Sequence, residues 1–501
     1  MARTRTQGGA GSLRATLAVV LVLVLAVGGL ATWRLDLLDT ALGSRVEAWV
    51  GLGDPSEPPA DPGSDDPVSV APPPGLQLPA VARPEVVAQP SSTAGLLDPR
   101  AVRRTLEPYL RDDDLGRHVR ALVGPLGGGP TVFAAGSRPA IPASTTKLVT
   151  GAAALLALGA DHVFTTSTVL SAPARGARRL TLVGGGDPFL ERTPLTSDGA
   201  QWPYPGRADT TTLAALTAAD LEEQGVRRVR LAYDDTLFTG PAVNPTWEDD
   251  YPFDVVSPTS ALWVDEGRTV SRFDRVRDPS AEAAAAFAAG LRRSGVKVQG
   301  DPVPAPAGAN DSPVASVSSA PLGEIVQRVV DVSDNEAAEV LLRHVGLARA
   351  GVGSSEAGRR GVRALLGAEG IRFGPSTFHD GSGLSRDNRA EPGLLLAVLR
   401  LAADPAHPEL RPLLEGLPVA GFTGSLALRM DEGPPAGLGR VRAKTGTLAS
   451  VSSLAGIGTD LDGTVFAFVL MADRIAKADS DSARTLLDSA AAALAACRCS
   501  R

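Results

Sequence analysis

Residues 142–151 read PASTTKLVTG, and an apolar run, LVTGAAALLALGA, continues from Leu148 to Ala160. The run is rich in good helix formers and reaches Gly159 where a helix would stop. It predicts a buried helix of about four turns that starts near Ser144, with Pro142 just ahead of it. Lys147 is then an amine at the head of a buried helix, three residues after a hydroxyl. The chain holds only four lysines, Lys147, Lys297, Lys444 and Lys477, against 45 arginines. Arginine stays charged near neutral pH and cannot act as a base, whereas lysine can be tuned to do so. In a chain that has drifted towards arginine, each surviving lysine invites a chemical explanation.

On a helix, positions i and i+3 share a face, so the Ser144 hydroxyl and the Lys147 amine can meet. Serine is a poor nucleophile until a base removes its proton, and a desolvated lysine can be that base. The S-x-x-K spacing alone is weak: about 0.3 copies arise by chance in a chain of this composition. A second copy, Ser294 and Lys297 in RRSGVKVQG, is indeed present. There Gly295 should end a helix and Val-Lys-Val begin a strand, which makes Lys297 a surface residue.

Two further stretches join the first. Lys444 to Thr447 lie in AKTGT. On a strand, Lys444 and Gly446 point one way and Thr445 the other. Gly446 would leave room for a substrate along the strand, with Lys444, Thr445 and Thr447 offering donors to a carboxylate. Ser333-Asp334-Asn335 lie in VSDNEAAE, which is equally a good helix cap for NEAAEVLLRHVG. The trio S-x-x-K, S-D-N and K-T-G, each at a structural break and in this order, is the known signature of penicillin-binding proteins and class A β-lactamases.

The remaining stretches frame these motifs. ALVGPLGGGPTVFAAG reads as two strands around a glycine turn, and LGEIVQRVVDVSDNEAAEVLLRHVG as helix, break, helix. RVRAKTGTL, SSLAGIGTD and TVFAFVLMAD read as successive antiparallel strands, followed by a closing helix. Strands at both ends with helices between predict an α/β domain whose sheet is assembled from distant segments. The net charge of −7, without a basic stripe, argues against a nucleic-acid partner. The two cysteines, Cys497 and Cys499, lack zinc spacing and are compatible with a local disulfide or two thiols.

At the N-terminus, Arg3, Arg5 and Arg14 precede an uncharged stretch from Ala15 to Trp33. Its length suits a membrane anchor; a signal peptide cleaved near Gly29-Leu30-Ala31 is the rival. Either one exports residues 34 onward. The Pro-, Asp- and Gly-rich segment that follows reads as an extended linker.

PASTTKL, LVGGGDPFL, SALWVDEGR, VSDNEAAEVLLRHVG, HDGSGLSRDNR, LPVAGFTGSLALRM and AKTGTLASVSSLAG together resemble the DacB-like, class C penicillin-binding D-alanyl-D-alanine carboxypeptidases of peptidase family S13. The resemblance covers about residues 98–501. It implies a serine β-lactamase/transpeptidase-like domain, with an antiparallel sheet flanked by helices, formed by 98–170 and 316–501. An inserted domain region would occupy 171–315, behind an anchor or signal at 1–33 and a disordered linker at 34–97.

The resemblance also implies roles. Ser144 attacks the penultimate D-Ala carbonyl and Lys147 takes its proton. Ser333 relays a proton to the departing amine, and Asn335 holds the substrate amide. Lys444 with Thr445 or Thr447 binds the terminal carboxylate beside Gly446, and the Ser144 and Thr447 N–H groups form the oxyanion hole. No cofactor or metal is expected. The substrate would be a peptidoglycan stem peptide, with DD-endopeptidase action on crosslinks as an extension and β-lactams as inhibitors. A β-lactamase would want an E-x-x-L-N glutamate, which the chain lacks. A non-catalytic wall scaffold would not need both lysines. HDGSGLS does not offer a Ser–His–Asp relay, since His379 and Asp380 are adjacent, and reads as a loop near the cleft. Gly184 to Asp187 read as a structural turn.

Overall fold

The computed structural model describes residues 96–500 apart from 137, 174–175, 196–203, 270 and 272–273. The expected anchor, and the linker up to residue 95, lie outside the described residues. Two sheets organise the rest. The first contains β1 (His118–Pro125), β2 (Phe133–Ala135), β9 (Val441–Leu448), β10 (Val451–Thr459) and β11 (Val465–Asp473). Its order is β2-β1-β11-β10-β9, antiparallel throughout. His118 lies opposite Asp473, so the first strand of the sheet pairs with the last, as the dispersed strand pattern predicted.

Every residue of β11 is buried, because helices cover both faces of the sheet. The period-two alternation of VFAFVLMAD divides its side chains between two cores. Phe466, Phe468 and Leu470 pack with α1 (Pro99–Leu110) and the closing helix α9 (Ser480–Ala495). Ala467, Val469 and Met471 face the larger core. That core is built by α2 (Thr146–Leu158), α5 (Leu322–Asp331), α6 (Asn335–Ala350), α7 (Ser355–Ala368) and α8 (Pro392–Ala403). Burying each such large side chain is worth about 1.5–3 kcal/mol, which makes the core the main restraint on where α2 sits.

α2 is apolar on all sides, as PASTTKLVTG and its continuation predicted, and its first ten residues are buried. A Cβ at Gly151 would come within 3.0 Å of Leu413 and 3.2 Å of Val326, so this position is glycine to let α5 approach.

The second sheet runs β6-β5-β4-β3-β8, with β7 also on β5. Its strands are β3 (Thr165–Leu170), β4 (Arg178–Val183), β5 (Arg228–Asp234), β6 (Lys297–Val298), β7 (Val303–Pro304) and β8 (Ser312–Ser318). β4, β5 and β6 are parallel, linked through α3 (Thr210–Glu223) and α4 (Pro279–Arg293), which share a core with Leu180, Leu182 and Leu231. Lys297 is exposed at the start of β6, as expected. Cys497 and Cys499 are bridged. Among the described residues no helix is long and apolar enough to cross a membrane.

Candidate active site

Ala143–Thr145 form a short 3-10 turn that leads into α2, and Ala143 takes a left-handed φ of 47°. This turn sets Ser144 at the rim and Lys147 one turn deeper, where it is fully buried. Lys147 Nζ lies 2.9 Å from Ser144 Oγ, 2.8 Å from Asn335 Oδ1 and 2.7 Å from the Ser382 carbonyl. Of these partners, only the hydroxyl can donate. A neutral amine that gives its two N–H groups to Asn335 and Ser382 therefore has its lone pair left for the Ser144 proton. Burial draws Lys147 down to about 8, against the pull of the Asp380, Asp334, Glu339 and Glu336 carboxylates. The spacing read from the sequence thus places an amine in contact with the hydroxyl.

Asn335 arrives on the first turn of α6. Asp334 caps that helix by accepting from Ala337 N (2.9 Å), so the cap reading of this stretch holds. Ser333 is held at a left-handed φ of 65°, is half-buried, and makes no side-chain hydrogen bond among the described residues. The Asn335 amide donates to the Val255 carbonyl (3.4 Å), which leaves its oxygen for Lys147.

β9 closes the opposite side. Lys444 is buried and donates to the Thr445 carbonyl (2.9 Å); burial first, then the charges of Lys147 and Arg429, hold its amine well below the usual lysine range. Gly446 differs from its sequence reading. A Cβ there would meet Ser453 Oγ at 2.2 Å, the Pro142 carbonyl at 2.7 Å and Ser144 N at 3.0 Å. The glycine makes room for the protein's own turn at Pro142–Ser144 rather than for a ligand. Ser453, opposite Gly446 on β10, fastens that turn by donating to the Pro142 carbonyl (2.6 Å). Thr445 donates to Ser425 (2.9 Å), and Thr447 is exposed.

The third wall, residues 379–388, contributes more than the sequence disclosed. Asp380 is buried and accepts from Trp247 Nε1, Gly383 N, Ser385 N and Asn388 Nδ2 at 2.6–3.0 Å. Glu339, one turn along α6 from Asn335, accepts from Gly381 N (2.9 Å) and Ser382 N (2.8 Å). Burial, with Asp380 nearby, raises Glu339 to about 7. Together they aim the Ser382 carbonyl at Lys147. The available signal was a glutamate four residues after Asn335 on an apolar helix, where a buried carboxylate needs partners.

Glu266, Asp334 and Glu336 place carboxylate oxygens within 4.8 Å of one another, a geometry that suits a cation. Guanidinium groups already occupy that role. Arg268 lies 3.1 Å from Glu266, and Arg275 lies 2.8 Å from Glu336 with both side chains nearly buried. Arg275 also donates to Val255 O (3.3 Å), the carbonyl that receives the Asn335 amide. Replacing Arg275 by Met should cost about 3 kcal/mol, because it strands the Glu336 carboxylate; urea unfolding of the variant beside the wild type measures this. A change below about 0.5 kcal/mol would show that Arg268 suffices.

The family model described as D-Ala-D-Ala carboxypeptidase 3 (S13) matches residues 102–275 and 268–494. The chain is similar to carboxypeptidase DacB of Mycolicibacterium smegmatis, 33% identical over 442 residues, covering 86% of this chain and 90% of the relative. It is also similar to the D-alanyl-D-alanine carboxypeptidase of Actinomadura sp. (strain R39), 30% identical over 64% of this chain and 71% of that one. Among solved structures, penicillin binding protein 4 (dacB) of Haemophilus influenzae superposes with a TM-score of 0.65 at 22% identity, over 79% of this chain and 98% of its own, and thus shares the fold.

Proposed function

The chain belongs to the D-Ala-D-Ala carboxypeptidase 3 (S13) family, and from that premise we propose that it is a serine carboxypeptidase that acts on peptidoglycan stem peptides through an acyl-enzyme on Ser144. The observation that carries this reading is the contact of 2.9 Å between Lys147 Nζ and Ser144 Oγ inside a buried site. Lys147 removes the hydroxyl proton as Ser144 Oγ attacks the penultimate D-Ala carbonyl. The C–N bond breaks, and the terminal D-Ala amine departs with a proton delivered through Ser333. Asn335 holds the substrate amide, while Lys444, Thr445 and Thr447 receive the terminal carboxylate beside Gly446. The Ser144 and Thr447 N–H groups stabilise the oxyanion. Water then frees the enzyme. The same bond change on a crosslinked stem is an endopeptidase cut.

Wall-directed carboxypeptidases work outside the cytoplasm. Residues 15–33 are proposed to anchor this one to the membrane, or to export it if cleaved. The catalytic domain is proposed as 98–170 with 316–501, interrupted by an insert over 171–315 whose sheet borrows β3 and the end of β8.

A short exposure to benzylpenicillin followed by intact-mass measurement tests the reading. The expected result is a stable adduct on the wild type and none on Ser144→Ala. No adduct with intact drug would point to a scaffold, and rapid drug hydrolysis to a β-lactamase.

The acylation rate should also rise with pH. Lys147 is a base only when neutral, and its amine is held at about 8, so the rate should climb through that value and level off above it. A rise of less than about tenfold in the rate of adduct formation from pH 6 to 9 would assign the proton to another group.

A further inference from the structure

Between α2, α7 and residues 373–380 lies a cavity of about 380 Å³. That is within the size of small-molecule sites. Val149, Leu342, Val362, Phe373 and Phe378 give it apolar walls. Two donors on its lining have no partner. Thr146, 1% exposed, has its hydroxyl unpaired, and Arg359 Nε is buried without an acceptor. Both atoms are closed off from the open space, so neither identifies an occupant.

The charge on the lining does identify one. Arg360 is ion-paired with Glu356. Arg359 and Arg363 have no carboxylate partner among the described residues; they donate to the carbonyls of Phe378 (3.2 Å) and Ser376 (2.9 Å), and Arg363 stacks 4.5 Å above Phe373. Asp380 also borders the cavity, but its oxygens are taken by the four donors described above.

We propose that this cavity is a binding site for a small organic anion with an apolar body, such as an aryl-alkyl carboxylate. The anion pairs with the Arg359 and Arg363 guanidinium groups while its hydrocarbon part lies against Phe373 and Phe378. Thr146 lies between Ser144 and Lys147 in the chain, and Thr150, also on the lining, donates to the Gly381 carbonyl (2.8 Å) in the loop that aims Ser382 at Lys147. An occupant touches both sides of the Lys147 clamp, and it wedges α2 from that loop, slowing acylation of Ser144.

Calorimetric titration of the full chain with 4-phenylbutyrate, 4-phenylbutanol and 4-phenylbutylamine tests the site. The carboxylate should saturate with a Kd below about 1 mM, and the alcohol and amine should bind at least about tenfold more weakly. Val362→Phe, which fills the cavity, should weaken the carboxylate about tenfold or more, as should Arg363→Gln, on the exposed face of α7, if the filled variant does not fold. No saturation by about 10 mM would mean that the cavity holds water only. Equal binding of the three probes, or binding unchanged in both variants, would equally overturn the proposal. At saturation, adduct formation with benzylpenicillin should slow about threefold or more, and an unchanged rate would sever the coupling to Lys147. The titration does not depend on turnover, so a chain that forms no adduct would refute the carboxypeptidase reading and leave the binding result standing.

Discussion

Lys147→Arg is expected to form the benzylpenicillin adduct about 10³-fold more slowly than the wild type, the scale of a lost general base. The substitution keeps a cation beside Asp380, Asp334, Glu339 and Glu336, and therefore keeps the electrostatic complement of the site. What it removes is the lone pair. A guanidinium remains protonated and can only donate, so the Ser144 proton has no acceptor. It is also planar, whereas the three partners of Lys147 surround a compact amine at 2.7–2.9 Å. A permanent charge in a fully buried position should lower the unfolding midpoint as well. Lys147→Met separates the two effects: it shares the kinetic loss without importing a charge. Adduct formation within tenfold of wild type in either variant would show that the serine is activated by another base. The scarcity of lysine in this chain has its strongest chemical explanation at this position.

Gly383→Ala is the second large effect. Gly383 has a φ of 90°, and a Cβ there would stand 1.9 Å from the Ala143 carbonyl oxygen and 3.0 Å from Ser144 N. These are backbone atoms of the turn that leads into α2, so no side chain can swing aside. Either the 379–388 loop retreats, taking the Ser382 carbonyl from Lys147, or the turn moves, taking Ser144. The variant should lose more than about 2 kcal/mol of stability and about 10²-fold or more in acylation. Gly370→Ala is the matched control, since Gly370 has a φ of 78° with open space where its Cβ would go. It should show only the conformational cost of about 1–2 kcal/mol, with acylation unchanged. If the two variants behave alike, left-handed strain alone explains both, and the contact between loop and turn has no kinetic role.

Much of the site was legible because side chains carry its chemistry. Ser144 and Lys147 could be placed on one face by helical spacing, Asp334 as a cap by its residue type, and the three closing stretches as successive antiparallel strands. What escaped the sequence is largely backbone. The Ser382 carbonyl that completes the Lys147 shell has no side-chain signature, and neither does the Val255 carbonyl that orients Asn335. Gly446 was recognised as a close approach, but which surface approaches depends on a turn 300 residues away. Glu339 and the Arg275–Glu336 pair were hidden for a related reason. A charged residue in a helix reads as solvated until tertiary structure buries it. The second sheet was harder than the first because β6 and β7 are two residues each, too short for any periodic signal.

The pairing of β1 with β11 has a bearing on how the molecule is made. His118 and Asp473 are separated by 355 residues, so while the chain emerges, β1 can hydrogen-bond with β2 but has nothing on its other edge until almost all of the polypeptide is available. Closing so long a loop is slow, and an open strand edge in the meantime favours aggregation. The second sheet has no such delay, since its strands all lie between residues 165 and 318. Vectorial synthesis would therefore let the middle of the protein order itself first and hold the two ends of the catalytic layer within reach, with β11 as the latch. A nascent chain stalled before β11 would carry every one of Ser144, Lys147, Asn335 and Lys444 and still lack the strand that joins β1 to β10 and β9.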